Sequence, residues 1–125
     1  MNTNIVGDIT NFMVTATSQL FGTTTRTEVL LAVRVLEETW ASELASALGL
    51  RLFSIQNALR SLEREGVVVI RNVGRTRVVS LNARYVAANE LDALLWALVK
   101  SDVVLQKKLA TLRRRPRRTG KDGVL

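Results

Sequence analysis

The tightest constraint on the fold lies between residues 41 and 82. Two apolar-periodic runs there each stop at a glycine, and two short β-branched runs follow around a third glycine. Glycine adopts the left-handed backbone that closes a helix at little steric cost. The stops at Gly49 and Gly66 therefore predict one helix from about Ala41 to Leu48 and a second over about 52–65. In the second, Leu52, Ile55, Leu59 and Leu62 recur as one stripe, and at about 100° per residue Phe53, Asn57, Arg60 and Arg64 fall opposite it. One face belongs to a core and the other meets something polar. VVVIR and RVVSL, separated by a turn containing Gly74, predict a β-hairpin over 67–82.

Upstream, TTTRTEVLLAVRVLEE offers Thr25 as an N-cap with Glu28 three residues on, followed by Val29, Leu30, Val33 and Leu36 as a buried face. Before it, Ile9, Phe12, Met13, Ala16 and Leu20 have helical spacing, weakened by threonines and Asn11. Downstream, Leu91, Leu95, Leu98, Asp102, Leu105, Leu109 and Leu112 alternate steps of four and three, a heptad seam with one polar interruption. A single helix over about 87–112 would be roughly 39 Å long, longer than a core of about 60 residues can cover. The seam, centred on Leu91, Leu95, Leu98, Leu105 and Leu109, is therefore expected to pair with a second copy of the chain. RRRPRRTGKDGVL, with proline, glycines and dense like charge, predicts a disordered tail. The expected organisation is an N-terminal helix in 1–24 that joins the dimer contact, a helix–helix–hairpin domain in 25–84, a dimerisation helix in 85–112 and a basic tail in 113–125.

Charge sharpens this division. Residues 51–84 carry seven arginines against Glu63 and Glu65, a net +5. Residues 106–125 carry eight cations against Asp122, a net +7, whereas the rest of the chain is net −5. Such segregation points to a surface that faces a polyanion. Arg71, Arg75 and Arg77 surround Gly74 in a stretch with no acidic residue. On an exposed hairpin they repel one another unless phosphates neutralise them, and duplex DNA offers a phosphate about every 1.7 Å of axis. The competing reading pairs Arg71 or Arg77 with Glu63 or Glu65, a surface bridge worth under about 1 kcal/mol.

The stretch SELASALGLRLFSIQNALRSLEREGVVVIRNVGRTRVVSLN resembles the winged helix-turn-helix core of bacterial regulators of the ArsR/MarR type. Glu43-Leu44-Ala45, Leu48-Gly49-Leu50, Leu59, Leu62, Gly66 and Gly74-Arg75 carry the likeness. The resemblance implies a mainly α fold with a β-hairpin wing, a recognition helix in the DNA major groove, a wing on the backbone or minor groove, and a homodimer. Two positions depart from the pattern: Arg51 stands where a Ser or Thr caps the recognition helix, and Phe53 where a small polar residue is common. The residue chemistry supports the likeness independently. Gln56 and Asn57 match adenine edges, Arg60 matches guanine, and Phe53 fits a thymine methyl. Arg51, Ser54, Arg64, Arg71, Arg75 and Arg77 complete the expected contact set, and the basic tail is read as a further non-specific nucleic-acid contact.

Catalysis fits poorly. The chain has neither histidine nor cysteine, so Ser and Thr lack their usual base and transition-metal ligands are missing. No Gly-rich phosphate loop appears, and Glu37-Glu38 and Glu63-Glu65 read as solvated helix residues. No cofactor is expected, and no effector is identified. Trp40 and Trp96 read as core or interface filler. The first 25 residues contain no Lys or Arg and no apolar run approaches about 20 residues, from which a cytoplasmic, nucleoid-associated protein is expected. The main alternative is a winged-helix module that docks an acidic protein instead of DNA.

Overall fold

The computed structural model describes residues 19–113. Within them run α1 (Thr24–Leu36), α2 (Ala41–Leu48), α3 (Leu52–Arg64), β1 (Val68–Val73), β2 (Thr76–Leu81), α4 (Ala88–Lys100) and α5 (Val103–Arg113). The architecture is mainly helical with one two-stranded antiparallel hairpin.

Helix α1 is the axle of the core. Val29, Leu30, Leu31, Ala32 and Val33 are all at most 1% exposed. A run of five exceeds one helical face, and it is buried because α3, α4, α5 and β2 pack around α1. Thr23, not Thr25, caps the helix: its backbone is extended (φ −133°, ψ 163°) and its hydroxyl accepts the Arg26 N–H at 3.0 Å. Thr27 reinforces that start, donating to the Thr23 carbonyl at 2.9 Å and accepting from the Phe21 N–H at 3.1 Å. Glu28 does not close a capping box; its carboxylate lies 3.9 Å from Lys108 on α5.

The helix ends in a tight reversal. Glu37 has φ 70° and ψ −52°, and the Glu38 N–H donates to the Leu36 carbonyl at 2.8 Å. This is a γ-turn with positive φ, a rare and strained conformation for a residue bearing a side chain. Glu37 and Glu38 are thus turn residues, not the solvated helix residues expected. The reversal delivers Thr39 to β2, where Thr39 and Val79 exchange N–H···O bonds at 3.1 and 2.7 Å.

Helix α2 follows the expected bounds. Gly49 (φ 69°, ψ 33°) closes it, and the Leu50 N–H reaches back to the Ala45 carbonyl at 3.1 Å. At the far end of α3, Gly66 (φ 80°) allows Val67 to donate to Leu62 at 3.0 Å. Asn82 then ties the hairpin root to this helix end: its backbone N–H donates to the Val67 carbonyl at 2.9 Å and its Nδ2 to the Gly66 carbonyl at 2.8 Å. The hairpin register runs from Val68↔Leu81 to Val73↔Thr76, leaving Gly74-Arg75 as a two-residue loop. Gly74 has φ 63° and Arg75 does not share the positive sign, the pattern of a type II′ turn.

The single helix expected over 87–112 is two. Hydrogen bonds tighten at the end of α4, Ser101 donating from its N–H to the Leu98 carbonyl at 3.1 Å and Asp102 to Val99 at 3.0 Å. The Asp102 carboxylate then accepts the Leu105 N–H at 3.0 Å and starts α5. Ser101 adds a hydroxyl bond to the Leu98 carbonyl at 2.9 Å. Asp102, the polar interruption of the heptad, is therefore a helix cap, because short polar side chains compete with helix continuation. The corner folds α5 back against α1 and α2. Leu95, Leu105, Leu109 and Leu112 are buried in this chain's own core, and Leu91 and Leu98 are half-buried against it. The premise that the seam outruns its own core does not hold.

Candidate nucleic-acid interface

Helix α3 presents the expected two faces. Ile55, Ala58, Leu59 and Leu62 are buried, while Phe53, Gln56, Asn57, Arg60 and Arg64 are exposed and Ser54 is half-buried. Phe53 is 62% exposed, a large apolar side chain left in water. Leu52, expected in the buried stripe, is 44% exposed and turns to a neighbouring cleft. Arg51 occupies the N-cap without a side-chain cap bond, forgoing about 1 kcal/mol that a Ser or Thr would supply. Arg60 Nη2 donates to the Asn57 Oδ1 one turn away, so the two proposed base readers hold each other on the surface.

The hairpin's alternation separates its arginines. In the register, Arg77 opposes Asn72 next to the inward pair Ile70↔Val79, whereas Arg71 opposes Val78 on the other face. Arg77, with the turn residue Arg75, lines the cleft beside α3. Arg71 instead reaches Glu38 in the α1–α2 turn, its Nη2 2.7 Å from Oε2. The expected partners Glu63 and Glu65 do not take it, and Glu65 is 2.9 Å from Arg26. The three arginines around Gly74 are thus not one cluster.

Between α3, the hairpin and the start of α2 lies a cleft of about 720 Å³. Its floor is apolar, with Trp40, Leu52, Leu59, Ile70 and Val79; Gln56, Arg60, Glu63, Arg75 and Arg77 stand around it. Trp40 is thus placed at the basic surface, which its isolated position in the sequence gave no means of knowing.

Away from this face Arg26 and Arg34 are engaged. Arg26 donates to the Phe21 carbonyl at 2.8 Å, to the Ser61 hydroxyl and to Glu65, fastening the chain before α1 to the end of α3. Arg34 sits 2.7 Å from Asp92 and 4.9 Å above the Trp96 ring centroid. Among the described residues Arg51, Arg60, Arg64, Arg75, Arg77 and Arg84 have no carboxylate within salt-bridge reach. Burial holds the Glu28 carboxyl above its ordinary range; nearby Lys108 lowers it and Asp102 raises it further.

No group of three or more acidic side chains among the described residues is placed to hold a metal ion, and no helix there is long and apolar enough to cross a membrane. The expected N-terminal helix, apart from residues 19–24, and the basic tail beyond Arg113 lie outside the described residues. No protein-family model, curated protein or solved structure matches the chain.

Proposed function

We propose that this chain is a homodimeric, sequence-specific double-stranded DNA-binding transcriptional regulator of the winged helix-turn-helix kind, acting on the nucleoid. In this reading α3 enters the major groove and the hairpin lies along the backbone or minor groove. The observation that carries it is the division among the arginines: those of α3 and the inner face and tip of the hairpin lack carboxylate partners among the described residues, while Arg26, Arg34 and Arg71 each have one. Exposed guanidinium groups gathered on one face, with donors of base-reading type between them, suit phosphates and groove edges.

Phe53, Gln56, Asn57 and Arg60 are the base readers, and Arg60 exchanges its bond to Asn57 for a guanine edge. Arg51, Arg64, Arg75 and Arg77 take phosphates. Arg71 joins them only by leaving Glu38. The dimer contact is the outer side of α4 and α5, where Leu94, Val103 and Val104 remain 42–58% exposed. A two-fold dimer calls for an inverted-repeat operator with half-sites about one helical turn apart.

Selection of bound duplexes from a random pool tests the reading. The preferred duplex is expected to outcompete bulk DNA by about 10³ or more, and Arg60→Ala to lose about 1–3 kcal/mol on it and relax specificity at one position. Equal affinity for all duplexes would favour the protein-docking alternative, and a monomer by sedimentation at tens of micromolar would remove the dimer.

A further inference from the structure

The cleft between α3 and the hairpin is lined by apolar as well as basic side chains. Phosphates need donors and positive charge, which Arg60, Arg75 and Arg77 supply at the rim. They do not need a floor of Trp40, Leu52 and Ile70. Bases inside an intact duplex are stacked and paired, so a backbone crossing the cleft brings no aromatic surface to that floor. A free ligand that joins a flat aromatic ring to a phosphate would use both parts.

We propose that this cleft is a receptor site for a free nucleotide, the base against Trp40 and Leu52 and the phosphate among Arg75, Arg77 and Arg60. Four properties converge on that chemistry. The volume of about 720 Å³ falls within the roughly 300–1,000 Å³ of small-molecule sites. Three guanidiniums against one carboxylate, Glu63, favour an anion, and none of the three has a carboxylate partner among the described residues. An indole beside aliphatic side chains suits a stacked base. Gln56 offers both a donor and an acceptor, and Glu63 an acceptor, for the polar edge of that base. Because Gln56, Arg60, Arg75 and Arg77 also belong to the surface assigned to DNA, the inference rests in part on that reading and makes nucleotide and duplex competitors.

Calorimetric titration of the full chain with the four ribonucleoside monophosphates, in the absence of DNA, tests it. At least one is expected to bind saturably below about 1 mM, with the matching nucleoside and inorganic phosphate each at least about tenfold weaker because each fills half of the site. Arg77→Gln and Leu52→Glu alter exposed side chains, so the fold is expected to survive; each should weaken nucleotide binding about tenfold with an unchanged thermal midpoint. Absence of saturable binding by all four nucleotides, or full affinity in both variants, overturns the proposal. Equal binding by phosphate alone also overturns it, since the apolar floor would then play no part. Tighter binding by a short single strand than by any mononucleotide would assign the cleft to unpaired nucleic acid and reject the free-nucleotide site. A separate duplex titration keeps the two readings apart. Duplex binding without nucleotide binding defeats this inference alone, and nucleotide binding without duplex binding defeats the DNA-regulator reading while leaving the receptor site standing.

Discussion

Arginine has two different lives on the two sides of this molecule. Around α1, Arg26 and Arg34 bridge separate elements, and Arg34 also stacks on Trp96. Beside α3 and at the hairpin tip, Arg60, Arg75 and Arg77 meet no carboxylate among the described residues. The same contrast divides leucines on the C-terminal corner: Leu105 is 3% exposed and Leu94 is 42%. Residue type alone assigns neither role. Position separates these examples: Arg26 and Arg34 lie on the central helix α1, whereas Arg60, Arg75 and Arg77 lie on α3 and the hairpin outside it.

The largest effect is expected where the corner closes on the core. Leu105→Ala should cost about 2–5 kcal/mol in denaturant unfolding, whereas Leu94→Ala should stay within about 0.5 kcal/mol. Similar losses at both would erase the distinction between inner and outer faces. Next, Arg34→Ala removes an ion pair and a cation–π contact and should destabilise by about 1–2 kcal/mol. Arg77→Ala should leave the unfolding midpoint unchanged while lowering the magnitude of the salt slope of duplex binding by about 1 per protomer. A stability loss at Arg77, or an unchanged slope, would break the contrast from the other side. Arg71→Ala belongs between them: its bridge to Glu38 joins two half-exposed side chains, so a stability loss under about 1 kcal/mol and no change of slope are expected.

Glu28→Gln should have the smallest effect, read as a change in the pH dependence of stability. Because burial raises the folded carboxyl above its ordinary value, the protonated form fits the fold better. The associated stability is complete at acid pH and is lost as pH rises from the ordinary glutamate range through the raised folded value. The glutamine variant should lack that decline and be slightly more stable at neutral pH. A steeper decline in the variant would show that Lys108 at 3.9 Å outweighs burial.

Local signals in the sequence located most of the elements. Gly49, Gly66 and Gly74 each needed positive φ at the end of a helix or in the turn, so together with the apolar period and the β-branched runs they located α2, α3 and the hairpin. Exposure of Phe53, Asn57, Arg60 and Arg64 followed from helical period. What stayed illegible depended on contacts between distant segments. The bond pair between Thr39 and Val79, the bridges Arg26–Glu65 and Arg71–Glu38, and the cleft floor at Trp40 join residues with no sequential relation. The broken C-terminal helix is a different lesson. A seven-residue leucine repeat cannot tell one helix paired with a partner from two helices folded on one core, and the adjacent Ser101-Asp102, good capping chemistry, was the only local sign of the second.

The bonds at Thr39, Val79 and Asn82 clamp the hairpin at its root, while its tip at Gly74-Arg75 stands about four residues, or roughly 13 Å, beyond that clamp. Such a short twisted ribbon behaves as a ruler: its root is fixed to the end of α3, so its length sets how far Arg75 stands from the helix. Deleting one cross-strand pair, Asn72 with Arg77, would flip the tip residues to the opposite face, because side chains alternate at every residue. Removing two pairs would restore the face and withdraw the tip by about 7 Å, some two phosphates along one strand of the duplex. Under the proposed DNA reading, hairpin length, more than hairpin charge, would select which phosphate the tip meets.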